Sequence, residues 1–403
     1  MNYYFVNRFY FPDQSATSQM LTDLAENLAK KLNVSVVTSR LQMDRKGGLQ
    51  KRETRNRVRI FRIWSTRFGR NSLWRKGLDL LSFQLALIVF LLRVVQKGDV
   101  VILKTDPPLL QLVTTSAVRL KGGKVVNWLQ DIYPEIAQRL GHFPAPRWMT
   151  SIVQSWRNRV LNAAVANVVV SGFMASYLRN RGVDFIKVIP NWANGDKVFP
   201  VQTEQNSLRA EWGLSGKFVV MYSGNFGRVH AFTGIIEAVR QLRGHADIQF
   251  VFVGEGAHLE RLRRGVSQSG TNHCIFKPYQ PQEKLCSSLG VADVHLVSLK
   301  PGMEELVTPS KLYGILASGR AVMFLGDTEG EITRLIESEM IGNAVAHDDG
   351  SALANKLVEL RENPDQVQEY GRRARSLFER EFSDQLGMAR WEKLLTGLQG
   401  TPA

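Results

Sequence analysis

Short, nearly continuous apolar runs recur along this chain, and helical patterns separate them. VSVVTS, DVVILK, KVVNWLQ and VANVVVS lie before Pro200; FVVMYSG, IQFVFVG, DVHLVSL and AVMFLG lie after it. A strand with one wet face alternates apolar and polar residues, whereas a parallel strand covered on both faces has no such need. Residues 15–31, SATSQMLTDLAENLAKK, carry apolar residues at helical spacing, as do 235–242 and 353–362. The β-α alternation occurs twice. Between the two rounds lies VIPNWANGDKVFPVQTEQNS, residues 188–207, which has the Pro, Asn and Gly of a hinge. At 403 residues the chain is also long for one core. The expectation is an α/β protein of two doubly wound halves: 1–190, a hinge over 191–206, then 207–375. Residues 376–403 read as a C-terminal helix that could cross back to the first half. Ligands of such folds sit at the carboxyl ends of the strands, here in a cleft between the halves.

Charge divides the halves. Residues 1–200 hold 30 Lys and Arg against 12 Asp and Glu; residues 201–403 hold 22 against 25. The first half therefore calls for a polyanionic partner. Residues 51–76, KRETRNRVRIFRIWSTRFGRNSLWRK, concentrate ten cations around Phe61, Trp64, Phe68 and Trp74. The apolar run 78–95 follows. Cations, interfacial aromatics and an apolar helix suit an anionic membrane surface, contacted through 51–95. The run's uninterrupted apolar stretch, 85–92, is too short to span about 30 Å of hydrocarbon. The same run also reads as a core helix. No nucleic-acid module accompanies the basic segment, so nucleic acid is not expected as a partner. The N-terminus lacks the basic and apolar regions of a signal peptide. Cys274 and Cys286 have no metal-ligand spacing, and HExxH, GxSxG, Walker-A and CxxC patterns are absent.

Several loops follow strands. YSGNFGRVH (222–230) offers Gly224, Asn225 and Gly227, where backbone can approach a phosphate, with Arg228 and His230 as donors. FVGEG (252–256) places Gly254 at a second strand end. Tyr279, in FKPYQP, could hold a planar base or simply pack. PGMEELVTPSKLYGILASG (301–319) brings Glu304 and Glu305, then Ser310 and Lys311 at a helix start. In the first half, NWLQDIYPE sets Gln130, Asp131 and Glu135 just after a strand, where catalytic acids or helix caps sit.

Taken together, QDIYPE, YSGNFGRVH, FVGEG, PYQP, VADVHLVSLKP and LVTPSKLYGILASGR resemble motifs of retaining GT-B glycosyltransferases of family 4. The nearest subgroup is the bacterial sugar transferases of exopolysaccharide, colanic acid and O-antigen pathways. The resemblance covers nearly the whole chain. It implies a GT-B fold, two Rossmann-like domains facing a central cleft. The implied activity is transfer from a nucleotide-sugar donor, UDP-linked, to a polyprenyl-diphosphate-linked glycan acceptor at the cytoplasmic face of the inner membrane. It implies no cofactor and no metal. Gly224, Arg228 and His230 would meet the donor diphosphate with Ser310 and Lys311, and Glu304 or Glu305 the donor sugar. Asp131 would orient the acceptor. The family's second acid, which holds the ribose, falls at Gly314. A sugar-nucleotide epimerase on the same fold and a basic nucleic-acid-binding protein are the alternatives.

Overall fold

The structure, a computed structural model, describes residues 1–399 apart from 14, 42–47, 69–72 and 142–145. The chain forms two compact units. Unit 1 comprises Met1–Pro190, Leu306–Thr308 and Gly387–Ala403; unit 2 comprises Asn191–Glu305 and Pro309–Leu386.

Among its described residues, unit 1 builds an eight-stranded sheet. In chain order the strands are β1 (Tyr3–Val6), β2 (Val34–Ser39), β3 (Arg52–Arg55), β4 (Val58–Ile63), β5 (Val100–Lys104), β6 (Lys124–Leu129), β7 (Ala166–Val169) and β8 (Ile186–Val188). They lie in the order β3-β4-β2-β1-β5-β6-β7-β8, parallel except for the β3–β4 hairpin. Every residue of β1, β2, β5, β6 and β7 is buried, which accounts for their unbroken apolar character. The helices are α1 (Ala16–Leu28), α2 (Leu73–Val94), α3 (Leu110–Leu120), α4 (Glu135–Arg139), α5 (Arg147–Asn162) and α6 (Gly172–Arg179). Ser15 starts α1 by accepting a hydrogen bond from the Ser18 amide at 3.3 Å. Trp391, from the C-terminal segment of unit 1, is fully buried, its ring 4.6 Å from that of Trp128 and 6.5 Å from that of Phe5.

The basic segment is not one uniform strip. Residues 52–63 form the β3–β4 hairpin, turned at Asn56 and Arg57 with φ of 45° and 68°. Positive φ at both positions matches the right-handed twist of the flanking strands. Arg62 is buried and pairs with Glu53 at 2.6 Å, and Arg55 pairs with Glu26 at 2.7 Å. Trp64, Phe68 and Trp74 are exposed, and residues 69–72 lie outside the described residues. On α2, Phe83, Leu87 and Leu91 are fully buried while Leu78, Leu81, Leu85 and Val89 are exposed. The core reading and the surface reading of this run each describe one face of the helix.

Unit 2 holds a second sheet of β9 (Phe218–Ser223), β10 (Ile248–Val253), β11 (Cys274–Lys277), β12 (Val294–Ser298), β13 (Ala321–Gly326) and β14 (Gly342–Ala346). All pairings are parallel, in the order β11-β10-β9-β12-β13-β14. Its helices are α7 (Ser207–Glu211), α8 (Thr233–Gln241), α9 (Leu259–Gln268), α10 (Leu285–Gly290), α11 (Lys311–Ala317), α12 (Glu331–Glu339), α13 (Gly350–Glu362) and α14 (Pro364–Leu377); α15 (Asp384–Gly397) begins in unit 2 and from Gly387 onward belongs to unit 1. The core joins Val220, Tyr222, Phe250, Phe252, Leu296 and Met323 of the sheet to Ile235 of α8 and Leu357 of α13.

Each sheet has a point where the strand order reverses. In unit 1 it lies between β1 and β5, in unit 2 between β9 and β12. Crossovers leave in opposite directions there, opening a crevice at the carboxyl ends of those strands. In unit 2 the point falls where the sequence puts candidate polar loops; in unit 1 the candidate loop follows β6, the strand next to β5.

Candidate active site

In unit 2, β9 runs into Gly224 and β12 into the loop that precedes Lys311. Gly224 has φ +129°, and a Cβ there would stand 3.4 Å from Lys311 Cε. Gly254, at the end of β10, has φ +127°, and a Cβ there would fall 2.2 Å from the Gly224 carbonyl oxygen. Only glycine fits that contact, so the two loops touch through backbone. The Tyr222 hydroxyl donates to the Asn225 carbonyl at 3.0 Å, fixing the turn from beneath. Lys311 Nζ stands 3.4 Å from the centre of the Tyr222 ring. That Nζ is buried and has no hydrogen-bond partner among the described residues. Burial holds its pKa well below the usual lysine range.

His230 is buried beside it. Its Nδ1 lies 2.5 Å from the Ser298 carbonyl, which can only accept, so Nδ1 carries the proton and Nε2 keeps its lone pair. Burial, and then the Lys311 charge, pulls the imidazole down to about 3, leaving it neutral. Arg228 and Asn225 are exposed on the same loop. A Cβ on Gly227 would meet the Asn225 side chain at 3.1 Å and His230 at 3.7 Å, which keeps this turn compact. Tyr279 is half exposed, with Cε1 3.2 Å from where a Cβ on Gly254 would stand, so its ring flanks the Gly254 loop. Ser310 is exposed at the start of α11, and its side chain makes no capping hydrogen bond. Gly314 lies within α11, where a Cβ would meet only Leu289 at 3.5 Å, so packing does not forbid a side chain there.

Glu304, expected to meet the donor sugar, engages a helix end through one oxygen, while the other, Oε1, is buried with no hydrogen-bond partner among the described residues. It is buried, and Oε2 accepts from the Ile332 amide at 3.1 Å in the first turn of α12. The position that caps that helix is Gly330, which has no side chain to do so, and a Cβ on Gly330 would collide with Glu304 Oε1. Glu304 is thus a cap supplied from another loop. Glu305, beside it, is half-buried. Burial raises the Glu304 pKa from 4.5 to about 7, against the opposing pull of the Ile332 amide. Between those values the folded state binds a proton that the unfolded chain has released, so stability falls as pH rises through that window. Glu304→Gln is expected to remove this fall. Unfolding midpoints of both proteins between about pH 5 and 8 check it, and parallel profiles would contradict it.

In unit 1, a cavity of about 180 Å³ opens at the switch point. Asn7 enters it from the end of β1, Lys104, Thr105 and Asp106 from the end of β5, and Gln130 and Asp131 from the end of β6. Lys104 is buried. Its Nζ donates to the Thr17 carbonyl at 2.8 Å and lies 4.1 Å from the Trp128 ring centre. Burial draws it down to about 7, while Asp106 and Asp131 pull the other way. Burial, and then Asp106, pushes Asp131 up to about 6, opposed by Lys104. This cluster can hold a hydroxyl by accepting its proton in a hydrogen bond. Asp131 is fixed by its backbone, which pairs antiparallel with Val307 of the same unit. Lys104 and Asp106 escaped the sequence reading, although their place after the run DVVILK was a usable signal. Glu135, a sequence candidate, is committed elsewhere. It pairs with buried Arg157 at 2.6 Å and accepts from the Tyr177 hydroxyl at 3.2 Å.

Comparisons with known proteins give the family and the fold. Residues 16–192 match the model of the Glycosyl transferase 4-like domain, and residues 204–377 that of Glycosyl transferases group 1. The chain is 27% identical over 330 residues to "Probable glycosyltransferase WbjE" of Pseudomonas aeruginosa, covering 81% of each chain. It is 30% identical over 228 residues to "Putative colanic acid biosynthesis glycosyl transferase WcaI" of Escherichia coli K12, covering 55% of each. Its fold is similar to that of Anabaena Alr3699/HepE, solved in complex with UDP. That match has a TM-score of 0.75 at 14% identity, over 98% of this chain and 100% of that one.

Proposed function

This chain belongs to the GT-B glycosyltransferases with a 4-like and a group 1 domain, and we propose that it moves a sugar from a UDP-linked donor to a polyprenyl-diphosphate-linked glycan, with retention. The observation that carries the donor half is Lys311, a buried cation with no hydrogen-bond partner among the described residues, set beside Gly224 at the switch point of unit 2. An unpaired buried charge is costly, and an anion placed against it removes the cost. A diphosphate meets this need, and the close-approaching Gly224 and Gly254 backbone leaves it room. Arg228 adds a planar fork of donors. The neutral His230 offers Nε2 as an acceptor for a donor hydroxyl. Tyr279 lies against the base. UDP in the HepE crystal structure supports the choice of nucleotide, and the colanic acid relative supports a cell-surface polysaccharide.

In the reaction, the bond from the sugar C1 to the diphosphate oxygen breaks, and the acceptor oxygen forms a new bond to C1 on the same face. The acceptor proton passes to the leaving diphosphate. Lys311 and Arg228 stabilise the charge growing on that group, a kind of preorganised electrostatic assistance that costs no rearrangement at the moment of reaction. Asp131 and Asp106 orient the acceptor hydroxyl. A lipid-linked acceptor fits a protein resting on the cytoplasmic face of the inner membrane through residues 51–95, where Trp64, Phe68 and Trp74 are exposed.

A thermal-shift panel of nucleotide sugars tests the donor. A ligand at a hundred times its Kd adds about 2.7 kcal/mol of apparent stability. UDP-sugars are expected to raise the unfolding midpoint, and Lys311→Ala to abolish the rise. A panel in which no nucleotide sugar shifts the wild type would overturn the reading.

A further inference from the structure

Helices α2, α3 and α5 form one layer on unit 1, with α3 packed against both of the others. This layer has an unusual charge pattern. Neither α3 nor α5 contains a carboxylate. The single acid of α2, Asp79, is buried and turned inward, accepting from the Thr66 hydroxyl at 2.7 Å and the Phe68 amide at 2.9 Å. Exposed cations remain: Arg75 and Arg93 on α2, Arg119 on α3, Arg159 on α5. Large apolar side chains accompany them. On α5, Trp148, Ile152 and Trp156 are 64%, 59% and 49% exposed. Their spacing of four residues sets them in one stripe along the helix. On α2, Leu78, Leu81, Leu85 and Val89 form a second stripe, and Leu120, just beyond Arg119, is also exposed.

We infer that the outer face of the α2–α3–α5 layer is a membrane-docking surface in which α5 is a second anchor, lying in the plane of an anionic bilayer beside α2. This rests on the membrane reading above and extends it beyond residues 51–95. Three arguments choose the occupant. An outward face with cations and no outward carboxylate on its three helices complements anionic headgroups. Tryptophans beside leucines suit the boundary between headgroups and acyl chains, whereas a nucleic-acid backbone would leave the leucines wet. The third concerns α2, the one described helix long and apolar enough to cross a membrane. Spanning would strip Phe83, Leu87 and Leu91, all fully buried, from the core and expose the apolar surface they cover. The helix therefore lies flat with its outer stripe in lipid.

The test is sedimentation of the full chain with vesicles of phosphatidylglycerol and phosphatidylethanolamine, and with vesicles of phosphatidylcholine alone. Two α5 variants are compared with the wild type: the triple variant W148S/I152S/W156S and the single variant Arg159→Glu. The triple variant is expected to lose partitioning to the anionic vesicles by about tenfold or more, since each lost apolar contact multiplies the partition coefficient down. Arg159→Glu should lose less, and only on anionic vesicles. All the altered side chains are exposed, so the unfolding midpoint and the nucleotide-sugar shift should hold, which separates lost docking from lost folding. Equal vesicle binding by wild type and triple variant would overturn this inference while leaving 51–95 as the anchor. Failure of the wild type to bind any vesicle would overturn the membrane reading itself. Loss of self-association in the triple variant, with vesicle binding intact, would assign the face to a second copy of the chain instead.

Discussion

Lys311→Ala is expected to lower the rate of sugar transfer roughly 100- to 1,000-fold, the usual cost of removing a preorganised group that stabilises a leaving anion. The same change should leave the fold intact or strengthen it. In the free protein the Lys311 ammonium is buried without a hydrogen-bond partner among the described residues, and its pKa is depressed by that burial. The unfolded chain then binds a proton that the folded chain holds less tightly. Stability from this group rises with pH, from its folded pKa up to about 10.4, the unperturbed lysine value. Lys311→Met removes the buried charge and keeps the hydrocarbon. It should raise the unfolding midpoint at neutral pH, flatten its rise with pH, and still abolish turnover. A site that is destabilising in the free protein yet required for the reaction is what function at a cost in stability looks like. A Lys311→Met protein that transfers sugar at the wild-type rate would remove Lys311 from the chemistry.

The largest effect on stability is expected from Arg157. Its guanidinium donates to Glu135 Oε2 at 2.6 Å and to the Tyr133 carbonyl at 2.9 Å, and both charged side chains are almost fully buried. Arg157→Leu leaves the Glu135 carboxylate buried and uncompensated, a change that costs about 3–5 kcal/mol in comparable pairs. Adding Glu135→Leu should recover much of that loss, because removing both charges also removes both desolvation penalties. It will not recover all of it, since Tyr133 loses a donor and the Tyr177 hydroxyl loses its acceptor. Urea unfolding of the two single variants and the double variant gives the coupling directly. Activity should fall with the single variant even where it stays folded, because Arg157 holds the loop that carries Asp131. Additive losses in the double variant would show that the pair is not coupled.

The parts of the fold visible in the sequence are those whose burial is set by the chain itself. VVILK and FVVMYS read as parallel strands because an unbroken apolar run has few other uses. The strands that left no such mark are β3, RETR, which is polar throughout and alternates exposed and half-buried residues, the three-residue β8, and β14, which opens on glycine. Helix α5 also gave little sign, because its tryptophans face outward and its arginines divide between core and surface. In the site, Gly224, Gly254 and Lys311 were legible as a motif, since close backbone approach leaves few residue types to choose from. Lys104 was not. A lysine at a strand end reads as a solvated cation, and only the tertiary approach of the Thr17 carbonyl and the Trp128 ring buries it. The partners of two acids were hidden for a related reason. Glu135 meets its partner 22 residues later in the chain, and Glu304 caps a helix that begins 27 residues beyond it. A carboxylate near a strand end looks the same in sequence whether it faces a substrate or a helix.

The decisive measurement follows both products of one reaction. The full chain, on anionic vesicles carrying polyprenyl-diphosphate-linked glycan, is given a panel of labelled UDP-sugars, and the nucleotide and lipid fractions are separated. The predicted result is UDP released in step with labelled lipid, the sugar linked with its original anomeric configuration, and both products lost in Lys311→Ala. Recovery of the label as an isomerised sugar nucleotide with its diphosphate bond intact, or the absence of turnover with every donor, would contradict it.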